Sequence, residues 1–125
     1  MKFHHLGIAC RNLNEAKAWV RATHPIVEEV GPVADQLQDA SFITLRTQDG
    51  LLIELIAGGQ VANISKKGIS LYHICYEVSD LDKSIGDFVA QGALVISSPK
   101  PSTLFHGRRI VFLNTLLGII ELLEE

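Results

Sequence analysis

The 125-residue sequence predicts an α+β fold built from two βαβββ modules, and three observations carry that expectation. Residues 71–82, Leu-Tyr-His-Ile-Cys-Tyr-Glu-Val-Ser-Asp-Leu-Asp, repeat the pattern of residues 4–14, His-His-Leu-Gly-Ile-Ala-Cys-Arg-Asn-Leu-Asn, with His73 lying 68 residues after His5. Each copy is an apolar strand followed by a polar turn and a helix-like stretch. Glu54 and Glu121 then interrupt apolar runs at equivalent places near the end of each copy, 67 residues apart. An internal repeat of this kind defines the architecture before any other pattern does.

Taken in order, Lys2–Cys10 reads as a strand buried on both faces. Asn12 or Asn14 is placed to cap a helix. That helix carries Ala16, Trp19 and Val20 on one face and ends near Thr23, because the residue before Pro25 is driven out of the α region. Trp19 is expected to pack the helix on the sheet. Ile26–Val30 is a short strand broken by Gly31-Pro32, and Val33–Asp39 is a polar excursion. Ser41–Thr47 sets Phe42, Thr44 and Arg46 against Ile43 and Leu45. Asp49-Gly50 signals a hairpin turn, and Leu51–Ala57 is the next strand.

The second module repeats the order. Ser70–Val78 is a strand. Ser79 or Asp80 caps a helix that points Leu81, Ile85, Phe88 and Val89 inward and stops at Gly92. Ala93–Ser97, Phe105–Asn114 and Gly118–Leu123 are strands, with a loop at Ser98–Thr103. One domain is expected, with module 1 at residues 1–58, a linker at 59–69 and module 2 at 70–125. Modules of this size are marginal alone, so they are expected to share a core or pair closely. Parallel βαβ units combined with antiparallel hairpins give a mixed sheet with helices outside.

Composition removes several function classes. A net charge of -3 argues against a nucleic-acid binder, which needs a basic face. No apolar run approaches ~18 residues, so no membrane span is expected, and the N-terminus shows no cleavage signature. Cys10 and Cys75, the two cysteines, sit in apolar strands and make no disulfide framework, which points to the cytoplasm.

The chemistry lies in four residues that suit their surroundings badly. Glu54 lies in Leu-Leu-Ile-Glu-Leu-Ile, Glu121 in Gly-Ile-Ile-Glu-Leu-Leu, and His5 and His73 in otherwise apolar strands. A carboxylate inside a buried strand costs several kcal/mol unless it is paired or bound to a metal. A single strand histidine is more often a hydrogen-bonded core residue, and a single strand glutamate more often faces solvent. The symmetric pairing of two imidazoles with two carboxylates favours a divalent-cation site with positions left for water or substrate.

These segments, together with His106-Gly107-Arg108 and Ile110-Val-Phe-Leu, resemble the vicinal oxygen chelate superfamily over essentially the whole chain. Within it, the methylmalonyl-CoA epimerase branch is most similar. The resemblance implies a glyoxalase-like fold, two modules forming a cupped mixed sheet around a metal. It implies His5, Glu54, His73 and Glu121 as ligands of a divalent ion (Co, Ni, Mn, Zn or Mg), and a homodimer. A fourth ligand at Glu54 argues against extradiol dioxygenases, which use two histidines and one carboxylate.

Such a site supports proton movement beside a carbonyl through a metal-stabilised enolate. The expected function is therefore a metal-dependent epimerase or isomerase acting on a small molecule, with acyl-CoA thioesters the first choice. A glyoxalase I-like lyase is the enzymatic alternative, and a non-catalytic small-molecule binding or resistance protein the other. Glu121 is the expected acid/base. Epimerisation needs a second such group, and the branch carries it on the third strand of the first module. Ala40–Leu45 holds no acid; Asp39 and Glu77 are the nearest candidates. His106, Arg108 and Cys75 are expected at the substrate, His106 by its place in the motif, Arg108 as a receiver of phosphate or carboxylate, and Cys75 by sharing the face of His73. Arg109 has the same anion chemistry available, a solvated role suiting at least one of the two arginines, and Lys66-Lys67 is expected to be solvated.

Overall fold

The structure is a computed structural model and describes residues 1–36 and 39–125. The chain forms two compact units, one spanning His5–Tyr72 and the other joining Met1–His4 to His73–Glu125. Among the described residues each carries a mixed sheet, with two helices in the first unit and one in the second, the α+β class expected.

In the His5–Tyr72 unit the elements are β1 (Lys2–Ala9, entering from residue 5), α1 (Leu13–Thr23), β2 (Ile26–Asp35), β3 (Ala40–Thr47), β4 (Leu52–Gly58) and α2 (Val61–Lys66). β1 runs parallel to β4, while β2–β3 and β3–β4 are antiparallel. Asn12 is the residue that caps α1, its side chain accepting from the Glu15 amide. Val20 turns into the core with Ile43, Leu45, Ile53 and Leu55. Trp19 does not: its exposure is 64%. The expected packing role fails because Val20 and the half-buried Ala16 and Leu13 already fill that face.

Gly31-Pro32 does not break the second strand. β2 continues to Asp35 through an irregularity that shifts the register between Val30, paired with Thr44, and Val33, paired with Phe42. Proline donates no ladder hydrogen bond and is tolerated where the ladder is already interrupted. Gly31 has φ 108, and a Cβ there would meet the Phe42 carbonyl oxygen at 2.6 Å. The polar excursion expected at Val33–Asp39 is thus strand as far as Asp35, and its residues 37–38 lie outside the described residues. The stretch read as a linker carries α2. β1 alternates rather than burying both faces: His5, Gly7 and Ala9 are buried and the residues between them only half so.

The second unit contains β5 (Leu71–Val78, from residue 73), α3 (Leu81–Ala90), β6 (Leu94–Val95), β7 (Lys100–Pro101), β8 (Arg109–Thr115) and β9 (Gly118–Glu124). β5 runs parallel to β9, β9 antiparallel to β8, and β8 antiparallel to both β6 and β7. Asp80 caps α3 through the Lys83 amide. Its core is Val78, Leu81, Ala93, Val111, Leu113, Ile120 and Leu122, with Ile85 and Phe88 against it. Val89 is exposed, contrary to expectation: it lies at the edge of the stripe, about 80° around the helix from Leu81, and is the penultimate residue of α3.

Two strand expectations change here. The strand expected at Ala93–Ser97 is two residues long, and the loop expected at Ser98–Thr103 contributes the short β7. The strand expected from Phe105 starts at Arg109. Residues 103–107 turn instead, with Ser102 Oγ accepting from the Phe105 amide and both His106 (φ 58) and Gly107 (φ 76) left-handed.

The two cores follow the repeat. Ile43, Leu45, Ile53 and Leu55 in one unit correspond to Val111, Leu113, Ile120 and Leu122 in the other. On the opposite face of each last strand the glutamate sits among buried apolar neighbours, Leu52 and Ile56 beside Glu54 and Leu123 beside Glu121.

Candidate functional site

In the His5–Tyr72 unit, alternation along β1 and β4 brings His5 and Glu54 to one face. His5 Nε2 lies 3.4 Å from Glu54 Oε2, with exposures of 0% and 4%. Glu54 is flanked in the ladders by Gly7 on β1 and Thr44 on β3.

The second unit repeats this. His73 Nε2 lies 3.4 Å from Glu121 Oε1, and both residues are buried. Here the ladder neighbours of Glu121 are Cys75 and Phe112. The Phe112 ring stands edge-on to His73 with centroids 5.3 Å apart. Each unit therefore offers one imidazole nitrogen and one carboxylate oxygen. Two donors each about 2.1 Å from a common ion stand about 3.0–3.4 Å apart at ligand angles near 90–110°. The two pairs have that spacing, and nitrogen with carboxylate oxygen is a donor set that suits divalent transition ions.

The remaining sequence candidates fall as follows. Cys75 is fully buried in an apolar cluster with Ile110, Leu123, Phe105 and Phe112. His106 is exposed in the turn before β8. Arg108 forms an ion pair with Glu77 and donates from Nε to the Glu124 carbonyl at 2.8 Å. Its hydrogen bond holds the Glu77 carboxyl below its ordinary pKa, so Glu77 stays ionised. Arg109 makes two hydrogen bonds to the Glu124 carboxylate, at 3.0 and 2.8 Å, and lies 3.5 Å from Asp82. His4 stacks edge-on with Phe105, and His24 shares a 2.8 Å hydrogen bond with Thr23. Lys66 and Lys67 are exposed, and so is Asp39.

Three polar residues went unremarked as site candidates in the sequence. Asp35, 7% exposed, pairs with Ala40 at the far end of the β2–β3 ladder. Thr44 pairs with Glu54, and Arg46 with Leu52. The alternation of Phe42, Thr44 and Arg46 against Ile43 and Leu45 already gave the face of the last two. No local signal marked Asp35, because its burial depends on β2 continuing past Gly31-Pro32.

Paired βαβββ repeats, each with a histidine on its first strand and a glutamate on its last, define a protein of the vicinal oxygen chelate type. Residues 4–112 match the model of the Glyoxalase/Bleomycin resistance protein/Dioxygenase superfamily, and the chain belongs to that superfamily. It is 33% identical over 119 residues to an ethylmalonyl-CoA/methylmalonyl-CoA epimerase of Cereibacter sphaeroides, covering 90% of this chain and 87% of the relative. Its fold matches methylmalonyl-CoA epimerase from Mycobacterium tuberculosis with a TM-score of 0.76 and 23% identity, covering 98% of this chain and 87% of that one. It also matches a Streptomyces coelicolor methylmalonyl-CoA epimerase variant in complex with 2-nitronate-propionyl-CoA, at TM-score 0.72 and 22% identity over 100% and 97% of the two chains.

Proposed function

We propose that this chain is a metal-dependent epimerase of an α-carboxyacyl-CoA thioester such as methylmalonyl-CoA or ethylmalonyl-CoA. The observation that carries the reading is the repeated pair: His5 with Glu54 and His73 with Glu121, each at 3.4 Å and each buried. The 33% identical epimerase supports the substrate class.

In this reading the two pairs supply the four ligands of one divalent ion. When bound, the ion supplies Lewis acidity beside the thioester carbonyl and lowers the cost of negative charge as the α proton leaves. Glu121 is the group assigned to move that proton, and its burial keeps bulk water from competing. The opposite-face partner is not on β3, whose described residues carry no carboxylate. Asp35 is on the right sheet face, but it pairs with Ala40, four residues along β3 from Thr44. That is about 13 Å of strand at ~3.3 Å per residue, too far from the ligand Glu54 to serve a carbon held beside the ion. His106 lines the substrate in this reading, with Arg108 and Cys75 behind it.

A homodimer completes the proposal. Leu94, Ile96, Leu116 and Leu117 are 70%, 54%, 103% and 73% exposed, an apolar group that a second copy would cover. Cys10 and Cys75 are not joined in a disulfide, which suits a reducing cytoplasm. No helix among the described residues is long and apolar enough to cross a membrane.

The test is metal content of the wild type against Glu54→Ala and Glu121→Ala, followed by α-proton exchange of methylmalonyl-CoA in deuterated water. Near one ion per chain, lost in both variants, with exchange dependent on the ion, is expected. Wild type that takes up no cobalt, nickel, manganese, zinc or magnesium overturns the reading, and ligand affinity retained without metal makes the chain a binding protein.

A further inference from the structure

The β3–β4 register places Arg46 opposite Leu52 and Thr44 opposite Glu54. Directly paired residues share a sheet face, as do residues two apart on one strand. Arg46 therefore lies on the face of Glu54, one diagonal step away. That step is about 7–8 Å between Cα atoms, within reach of a long side chain.

Among the described residues of the His5–Tyr72 unit, no other lysine or arginine is so placed. Lys17 and Arg21 are on α1 and both hold Glu29, at 3.3 and 2.8 Å. Lys66 ends α2, Lys67 follows it, and Arg11 lies beyond the end of β1. Among the described residues, Arg46 is the one lysine or arginine of that unit on a strand. Its own contacts are loose: 3.8 Å to Glu28, with side-chain exposures of 41% and 60%, and 3.4 Å to the Gly50 carbonyl. Exposed pairs at such distances hold a side chain weakly. Arg108 and Arg109, by contrast, are held by Glu77 and by both Glu124 carboxylate oxygens. A guanidinium presents a planar fork that matches a carboxylate with two parallel hydrogen bonds.

We propose that Arg46 binds the free carboxylate of the α-carboxyacyl thioester and so selects for substrates that carry one. This inference rests on the epimerase reading above. The carboxylate is the favoured anion because it is attached to the reacting carbon, and Arg46 is one ladder step from Glu54. The phosphates of coenzyme A are separated from that carbon by the whole pantetheine arm.

The test compares wild type, Arg46→Gln, Arg46→Lys and the surface control Lys66→Gln, all metal-loaded. Calorimetric Kd, KM and kcat are measured with methylmalonyl-CoA and with methylmalonyl-pantetheine, which lacks the nucleotide phosphates. Arg46→Gln is expected to weaken binding of both by about ten- to a hundredfold, with kcat changed far less. Arg46→Lys recovers part of the loss, Lys66→Gln binds as wild type does, and metal content is unchanged throughout. Weakening confined to methylmalonyl-CoA assigns Arg46 to a phosphate and overturns the proposal. Arg46→Gln binding both ligands as wild type does overturns it while leaving the epimerase reading standing. Wild type that binds neither ligand overturns both.

Discussion

Thr44 stands directly across the β3–β4 ladder from Glu54, and both are buried. The repeat gives the equivalent place opposite Glu121 to Phe112, whose ring also stands edge-on to His73. On the first strands the contrast recurs, with Gly7 beside Glu54 and Cys75 beside Glu121. One histidine–glutamate pair is set among small groups, and the other is packed by an aromatic ring and a thiol.

The two pairs should therefore respond differently to truncation of the neighbour. Phe112→Ala removes a half-buried ring against His73 and is expected to cost about 2 kcal/mol or more. Thr44→Ala removes a methyl and a hydroxyl and is expected to cost about 1 kcal/mol. Denaturant midpoints at constant m-value measure both. Equal losses would show that the second pair gains no support from Phe112.

Acid stability follows from the ion pairs of the second unit. Hydrogen bonds from Arg108 and Arg109 hold the Glu77 and Glu124 carboxyls below their ordinary pKa values. A depressed carboxyl contributes stability that is present above its unfolded value, about 4.3, and lost as pH falls through the lower folded value. The Tm is thus expected to fall below about pH 4. Glu77→Gln with Glu124→Gln should flatten that fall while lowering the Tm at pH 7. A double variant with the wild-type pH profile would remove these pairs as the cause.

Helix entry gives a third expectation. Asn12 and Asp80 cap α1 and α3 by accepting from Glu15 and Lys83 amides at 2.9 and 3.0 Å. Asn12→Ala and Asp80→Ala are each expected to cost about 1 kcal/mol. Asn14→Ala and Ser79→Ala, the alternatives that the sequence left open, should cost less than about half of that. Denaturant titrations of the four variants check the ranking.

The repeat made the core and the buried pairs legible, because continuous apolar runs and the two glutamates within them are local facts. What escaped the sequence depended on contacts distant in the chain. Gly31-Pro32 reads locally as a break, yet the β3 partner carries β2 across it with a shift in register. Phe105 reads as a strand residue, yet Ser102 draws its amide into a turn. The face of Arg46 was visible as alternation. Its separation from the other cations was not, since the ion pairs of Arg108 and Arg109 form with residues 15 to 31 positions away.

The last expectation concerns the sole tryptophan. Trp19 and Val20 are neighbours on α1, yet Val20 is 8% exposed and Trp19 64%. A helix that buries one narrow stripe leaves the adjacent position about 100° away, and here Val20 takes the stripe. Removing Val20's two methyl groups from the Ile43–Leu45–Ile53–Leu55 cluster in Val20→Ala should cost about 1.5 kcal/mol, at ~0.8 kcal/mol per buried carbon. Trp19→Ser, despite deleting the largest side chain, should change stability by no more than about 0.5 kcal/mol. The native indole should also be quenched by acrylamide nearly as readily as in the denatured chain. Strong protection from quenching in dilute monomer would contradict an exposed Trp19. Protection that appears only as concentration rises would instead put Trp19 at a contact between copies, and analytical ultracentrifugation across the same concentrations separates the two outcomes.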